Sequence, residues 1–190
     1  ASLPGDALDA LGVAPGRELT AAAYARLREL ADVEGAHRAA LRALARRPHA
    51  RADLRRRLVQ KQHPPAAVDR ALERLADRGL LDDARFARGY AATRAIRGRG
   101  PARLVRDLQV QGIERRAAED AVARALAEER IDPLATARAA VARRARQLGA
   151  LPAAVRRRRL AAYLARRGFG GEVSRRVIEE AVNPGATPRD

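Results

Sequence analysis

Residues 104–126 read LVRDLQVQGIERRAAEDAVARAL, and this stretch decides the fold. Leu104 and Leu108 stand four apart on one helical face. Gly112 stops that helix where a left-handed C-cap is wanted. Ile113 follows, and Ala118 and Val122 restart the helical period. The pattern occurs twice more. Leu54 and Leu58 precede Lys61-Gln62-His63, then Val68 and Leu72; Leu160 and Leu164 precede Arg167-Gly168-Phe169, then Ser174 and Ile178. The copies start 50 and 56 residues apart, which predicts stacked units that bury their apolar stripes partly against each other. Any helical chain offers Leu-x-x-x-Leu pairs; the shared step from a stop to an apolar residue favours a repeat.

Working outward, Thr20 predicts an N-cap for a helix through about Asp32, carrying Tyr24, Leu27 and Leu30. Gly35 is expected to interrupt, and a helix to resume with Leu41 and Leu44 on its inner face until Pro48. Residues 51–61 form the next helix, with Leu54 and Leu58 inward and Arg55, Arg56 and Arg57 mostly outward. Pro64 and Pro65 suit a first turn, Val68, Leu72 and Leu75 give a buried stripe, and Gly79 stops it. Asp82 or Asp83 caps the helix of Phe86 and Tyr90, which runs to about Arg97. Gly98 and Gly100 break the chain before Pro101. Asp132 caps a helix over 133–147, and Pro152 opens one holding Val155, Leu160 and Leu164 that Gly168 closes. The last helix carries Val173, Val177 and Ile178. No strand pattern of useful length occurs.

The expected fold is therefore all-α, with three tandem three-helix repeats and a short N-terminal arm. The predicted divisions are 1–37 for a lead-in and helix, 38–81, 82–130 and 131–183 for the repeats, and 184–190 for a flexible tail.

Composition narrows the function. Apolar residues make up 47% of the 190, much of it Ala, with two Phe and three Tyr as the only aromatics, so the core is thin. The chain has no Cys, hence no disulfide and no thiolate ligand or nucleophile. No apolar run is long enough to span a membrane, and no signal peptide is visible. The net charge is +16, distributed as −2 over residues 1–40, +5 over 41–83, +5 over 84–130 and +8 over 131–190. The repeats carry the charge, which points to a polyanionic partner.

Catalysis has few candidates. His37, His49 and His63 share no metal spacing, and the only serines are Ser2 and Ser174. Gly98-Arg99-Gly100 resembles part of a phosphate loop without its Lys-Ser/Thr, so a turn is the better reading. Asp82-Asp83 reads as a cap rather than as acid–base or metal chemistry. No catalytic residue, metal ligand or cofactor is expected.

Phosphate binding is better supported, at two places. The first is Arg94, Arg97, Arg99, Arg103 and Arg106 around the Gly98–Pro101 turn, where the free N–H groups of a helix start would favour an anion. Arg94 lies near the buried edge of its helix and serves either as a phosphate contact or as a structural ion-pair partner. The second is Arg156, Arg157, Arg158 and Arg159, with Arg166 and Arg167 beyond. Four successive arginines cover every side of a helix, so at least one must snorkel at the core side. The others form either a solvated face or a contact surface, and their mutual repulsion favours an anionic partner. The lack of aromatics argues against base stacking, leaving backbone contact of weak sequence preference.

In order along the chain, several motifs resemble the RecX family of regulatory proteins. Gly79-Leu80-Leu81-Asp82-Asp83 with Phe86-Ala87 is similar to its most distinctive signature; Arg94, Gly100-Pro101, Leu104, Leu108 and Gly112-Ile113 continue it. Arg166-Arg167-Gly168-Phe169 resembles its third repeat, and Ala40-Leu41, Arg46-Arg47-Pro48 and Leu54 to Leu58 its first. Leu11-Gly12-Val13 and Gly16 to Leu19 resemble its lead-in. Gln62 and Ala50 depart from it, where Gly and Ser are common. The resemblance implies an elongated, curved array of three three-helix repeats without catalytic residues. It also implies a cytoplasmic, monomeric modulator of the bacterial recombinase RecA in DNA repair and the SOS response. Such a protein binds RecA and the RecA filament, with single- and double-stranded DNA contacted through phosphates. It mainly inhibits recombinase and ATPase activity. The rival readings are an autonomous DNA- or RNA-binding helical module and an adaptor docking an acidic protein.

Overall fold

Caps and prolines start most of the described helices, and left-handed residues end several of them. The computed structural model describes residues 18–183; the expected lead-in before residue 18 and the tail from Pro184 lie outside the described residues. Among these are nine α-helices and no strand. They are α1 (Ala21–Arg46), α2 (Arg51–Gln60), α3 (Pro65–Asp77), α4 (Asp83–Ala95), α5 (Pro101–Val110), α6 (Arg115–Glu128), α7 (Pro133–Gln147), α8 (Ala153–Arg167) and α9 (Gly171–Val182). Thr20 caps α1 by accepting from the Ala23 N–H at 3.2 Å, and Asp132 caps α7 by accepting from Leu134 and Ala135 at 2.8 and 3.1 Å. Pro65, Pro101 and Pro133 stand in first turns, where a missing N–H costs little.

The repeat is visible in the backbone itself. The carbonyls of Leu58, Leu108 and Leu164 accept from the N–H groups of His63, Ile113 and Phe169 at 3.2, 3.1 and 3.0 Å. In each copy the preceding residue is left-handed: Gln62 at φ 66°, Gly112 at 92° and Gly168 at 87°. Each turn thus closes the helix with the bond from C″ to C3 that satisfies an orphan carbonyl. Gln62 does this against its preference, because a Cβ makes the left-handed region unfavourable by about 1 kcal/mol.

One expectation is corrected. Gly35 does not interrupt; α1 runs unbroken over 26 residues. A mid-helix glycine costs about 1 kcal/mol relative to Ala, which tertiary packing easily overrides. The inner stripe is Val33, Ala36, His37 and Ala40, with Leu44 at its edge. Leu41, also expected inward, is 36% exposed because that stripe leaves it one residue off the buried face.

The chain divides within α4 into two compact units, one ending at Phe86 and the other beginning at Ala87. In the first, α1 packs chiefly on α3, and α2 packs on both. Their core is Val33, Ala36, Ala40, Leu54, Leu58, Val68, Ala71, Leu72 and Leu75, closed by Leu81. In the second, α5 packs on α6 through buried Leu104, Leu108, Ala118 and Val122. Helix α9 packs on α7 and α8, with a core of Val141, Leu160, Leu164, Phe169 and Val177. Each buried leucine contributes about 2 kcal/mol. Both cores are the thin Ala–Leu–Val kind that the composition predicts.

Candidate functional site

The first predicted phosphate site begins at the Gly98 turn. Gly98 is left-handed at φ 80°, and its N–H and that of Arg99 return to Ala95 O and Arg94 O at 2.8 and 3.1 Å, closing α4. The start of α5 then meets the end of α8. The Gly100 N–H donates to Arg167 O at 2.7 Å and the Ala102 N–H to Gly168 O at 3.1 Å. A Cβ on Gly100 would lie 2.5 Å from the Gly168 carbonyl, and one on Gly168 would lie 2.2 Å from the Arg103 Cβ. Only glycine at both positions permits this approach. The free N–H groups expected to attract a phosphate are therefore not free. Carbonyls from the negative end of α8 occupy the positive end of α5, and two helix dipoles meet head to tail.

The arginines around this joint divide into two kinds. Arg94 is half-buried, its guanidinium 3.6 Å from the centre of the Tyr90 ring, a cation–π contact. Arg99 and Arg103 both bind the Asp107 carboxylate, Arg103 through Nε at 2.8 Å. Arg167 donates to Gly98 O at 3.3 Å and lies 5.0 Å from the Tyr163 ring centre. Arg97 and Arg106 are exposed and have no acidic partner among the described residues.

The α8 cluster divides likewise. Arg156 is the half-buried member, donating to Val182 O at 2.9 Å, which is the snorkelling position that four successive arginines require. Arg157 binds both oxygens of Glu179 at 2.9 and 3.0 Å. Arg158, Arg159 and Arg166 are exposed, and no acidic partner for them exists among the described residues. A groove of about 840 Å³ runs between α8 and α9 beside Arg157 and Arg158. Its other arginines are neutralised: Arg175 by Glu172 at 2.7 Å and Arg176 by Glu180 at 3.3 Å. Bidentate Arg138, at 2.7 Å from each oxygen, holds the Glu180 carboxyl down at about 2, with Arg176 adding to it.

A third arginine cluster, in the first unit, is closed on itself. Asp53 is 1% exposed and accepts from Arg56 at 2.7 Å, Arg57 at 2.8 Å and His49 Nδ1 at 2.9 Å. Burial alone would raise its carboxyl; the bonds from Arg57 and His49 outweigh that and hold it below the ordinary range. His37 is also buried, and desolvation, with Arg74 nearby, lowers its pKa. No group of three His, Asp or Glu that could hold a metal ion occurs among the described residues. No described helix is long and apolar enough to cross a membrane.

Sequence reasoning missed Asp107, Glu179 and Asp53. Asp107 was legible as the i+4 partner of Arg103. Glu179 lies 22 residues from Arg157 and is brought to it only by the packing of α9 on α8. Also missed were Arg143, Arg144 and Arg146, exposed near the end of α7.

Comparison with known proteins places this architecture. Three family models match in succession: the RecX first three-helix domain over residues 36–75, the second over 82–122 and the third over 130–178. A regulatory protein RecX of Halorhodospira halophila is 40% identical over 150 residues, covering 78% of this chain and 89% of that protein. One of Streptomyces coelicolor is 35% identical over 152 residues, covering 79% of each. A crystal structure of a regulatory protein RecX superposes with a TM-score of 0.78 at 21% identity, covering 94% of this chain and 87% of the other. The RecX crystal structure from Lactobacillus salivarius gives 0.69 at 19% identity, covering 79% and 96%.

Proposed function

We propose that this chain, which belongs to the RecX family of regulatory proteins, binds RecA and the RecA–DNA filament and restrains RecA's recombinase and ATPase activity. The observation that carries the reading is the ordered match of all three RecX domains across residues 36–178. The exposed arginines Arg97, Arg106, Arg158, Arg159 and Arg166 supply the electrostatic part, directed at DNA phosphate and at acidic groups of RecA. Arg94, Arg99, Arg103, Arg156, Arg157 and Arg167 contribute less, because each guanidinium already has a partner within this chain. The protein performs no reaction and needs no cofactor; it acts by occupying the filament, as a monomer, in the bacterial cytoplasm.

The test is RecA's ATP hydrolysis on single-stranded DNA, with this protein added far below the RecA concentration after filaments have formed. Strong inhibition at low ratios, absent with a DNA-coating cation of equal charge, supports action on the filament. Inhibition only once the DNA is saturated would replace this reading with autonomous DNA binding. That alternative is favoured by one specific observation, the exposed arginines that lack acidic partners among the described residues.

A further inference from the structure

Residues 133–171 contain ten arginines and no Asp or Glu. Half of the ten are engaged: Arg138 on Glu180, Arg156 on Val182 O, Arg157 on Glu179, Arg167 on Gly98 O and Arg144 on Gln147 Oε1. The others, Arg143, Arg146, Arg158, Arg159 and Arg166, are exposed, with no hydrogen-bonded or ionic partner among the described residues. The connection from α7 to α8 is the five residues 148–152. At most about 18 Å can separate its ends, so the last turns of α7 and the first turns of α8 lie at one end of the third repeat.

Helix electrostatics explain only part of this charge. Arg144 and Arg146 in the last turn of α7 suit the negative end of its dipole. So do Arg166 and Arg167 in the last turn of α8, but Arg156–Arg159 do not, because they lie in its first two turns, toward the positive end, with no acidic residue in the first turn. They are unfavourable there both with the dipole and with one another.

What the face lacks distinguishes its partner. A protein-binding patch needs apolar or aromatic anchors that become buried. The exposed large hydrophobics of the second unit are Ile96 and Val110, at 66% and 68%, and none falls within 133–171. Between the arginines stand exposed Ala142, Ala161, Ala162 and Ala165. Tyr163, the one tyrosine here, is half-buried with Arg167 over its ring, so no aromatic ring stands free for base stacking. Phosphate contact requires only charge and the guanidinium fork.

We propose that the exposed face of α7 and α8 is a nucleic-acid backbone surface, binding phosphates without sequence preference through Arg143, Arg146, Arg158, Arg159 and Arg166. It rests on the function proposed above only in taking DNA as a partner, and it gives the third repeat a surface of its own for that partner.

The test uses the full chain and a labelled dT oligonucleotide, with affinity measured by anisotropy from 50 to 200 mM salt. The variant Arg143→Gln/Arg158→Gln/Arg159→Gln/Arg166→Gln should bind at least tenfold more weakly at the lowest salt. Its log–log salt slope should be shallower by about 3, from about 0.7 per phosphate contact. The matching Arg→Lys variant should keep the slope. Should the fourfold Gln variant fail to fold, each single Arg→Gln variant should lose about 0.7 of slope. Affinity for DNA-free RecA should stay within twofold of the parent. Parental DNA affinity and slope in the Gln variants would overturn the proposal. So would lost RecA affinity with DNA binding intact, which would give the face to a protein. A parent chain that inhibits RecA without binding DNA sinks this proposal and leaves the function standing. DNA binding through these arginines without any effect on RecA does the reverse.

Discussion

The backbone N–H of Arg51 donates to the Asp83 carboxylate at 2.7 Å. Asp83 therefore caps α2 from 32 residues away, at a helix start where the local cap is Ala50 and offers no side-chain acceptor before an N1 donor. Asp82, next to it, accepts from the Arg85 N–H at 2.9 Å and caps its own helix, α4. Two adjacent acids that read as alternatives in the sequence thus serve two different helices.

Replacing Asp83 should destabilise the first unit without unwinding α4. Asp83→Ala is expected to cost about 1 kcal/mol in urea unfolding, the usual loss on removing a helix cap. Ala50→Ser, which supplies a local cap, should recover much of it. An Asp83→Ala variant with parental stability would show the bond to be incidental.

The Asp53 cluster predicts acid sensitivity. Its carboxyl is held below its ordinary value by Arg57 and His49 against the opposing effect of burial. A depressed folded-state pKa adds stability that is present above the unfolded value, near 4, and is lost as pH falls through the folded one. Asp53→Asn should therefore lower stability at pH 7 by about 2 kcal/mol, since the charge-assisted bonds from Arg56 and Arg57 are weakened and buried His49 loses its anionic partner. It should also flatten the decline between about pH 5 and 2. Unfolding curves across that range check both.

Left-handed residues other than glycine are places to gain stability. Gln62 and Arg130 have φ 66° and 52°. Gln62→Gly and Arg130→Gly should each stabilise by up to about 1 kcal/mol, less the added chain entropy of the unfolded state. The opposite change at Gly168 should be severe, because a Cβ there would meet Arg103 at 2.2 Å as well as strain the backbone. Thermal melts of Gln62→Gly and Gly168→Ala should move in opposite directions.

Asp107 restrains two of the arginines expected to bind phosphate. Asp107→Asn would remove its charge and loosen Arg99 and Arg103 without changing the shape of α5. DNA affinity at low salt should rise several-fold and the salt slope steepen by about 1. Unchanged affinity would mean that neither arginine can reach a phosphate, and would confine DNA contact to the other arginines.

The legible part of this protein is what depends on neighbours in the chain. Thr20, Asp132, Pro65 and Pro101 start helices because capping needs atoms two or three residues away. Leu54, Leu104 and Leu160 repeat, and so do the stops that follow them, because each unit closes by the same local hydrogen bond. The uninterrupted α1 was not legible, since packing of Val33, Ala36 and Ala40 outweighs a weak glycine penalty that local reasoning overestimates.

The charge surplus and its place in the repeats were likewise determined by sequence alone. Which arginines remain available was decided only by tertiary structure. Arg157 is engaged because α9 carries Glu179 to it, and Arg167 because α8 ends against the start of α5. The same joint closes the helix N-terminus that the sequence left open to a phosphate. Charge is a property of each residue, whereas its engagement depends on what another part of the chain brings within hydrogen-bond reach.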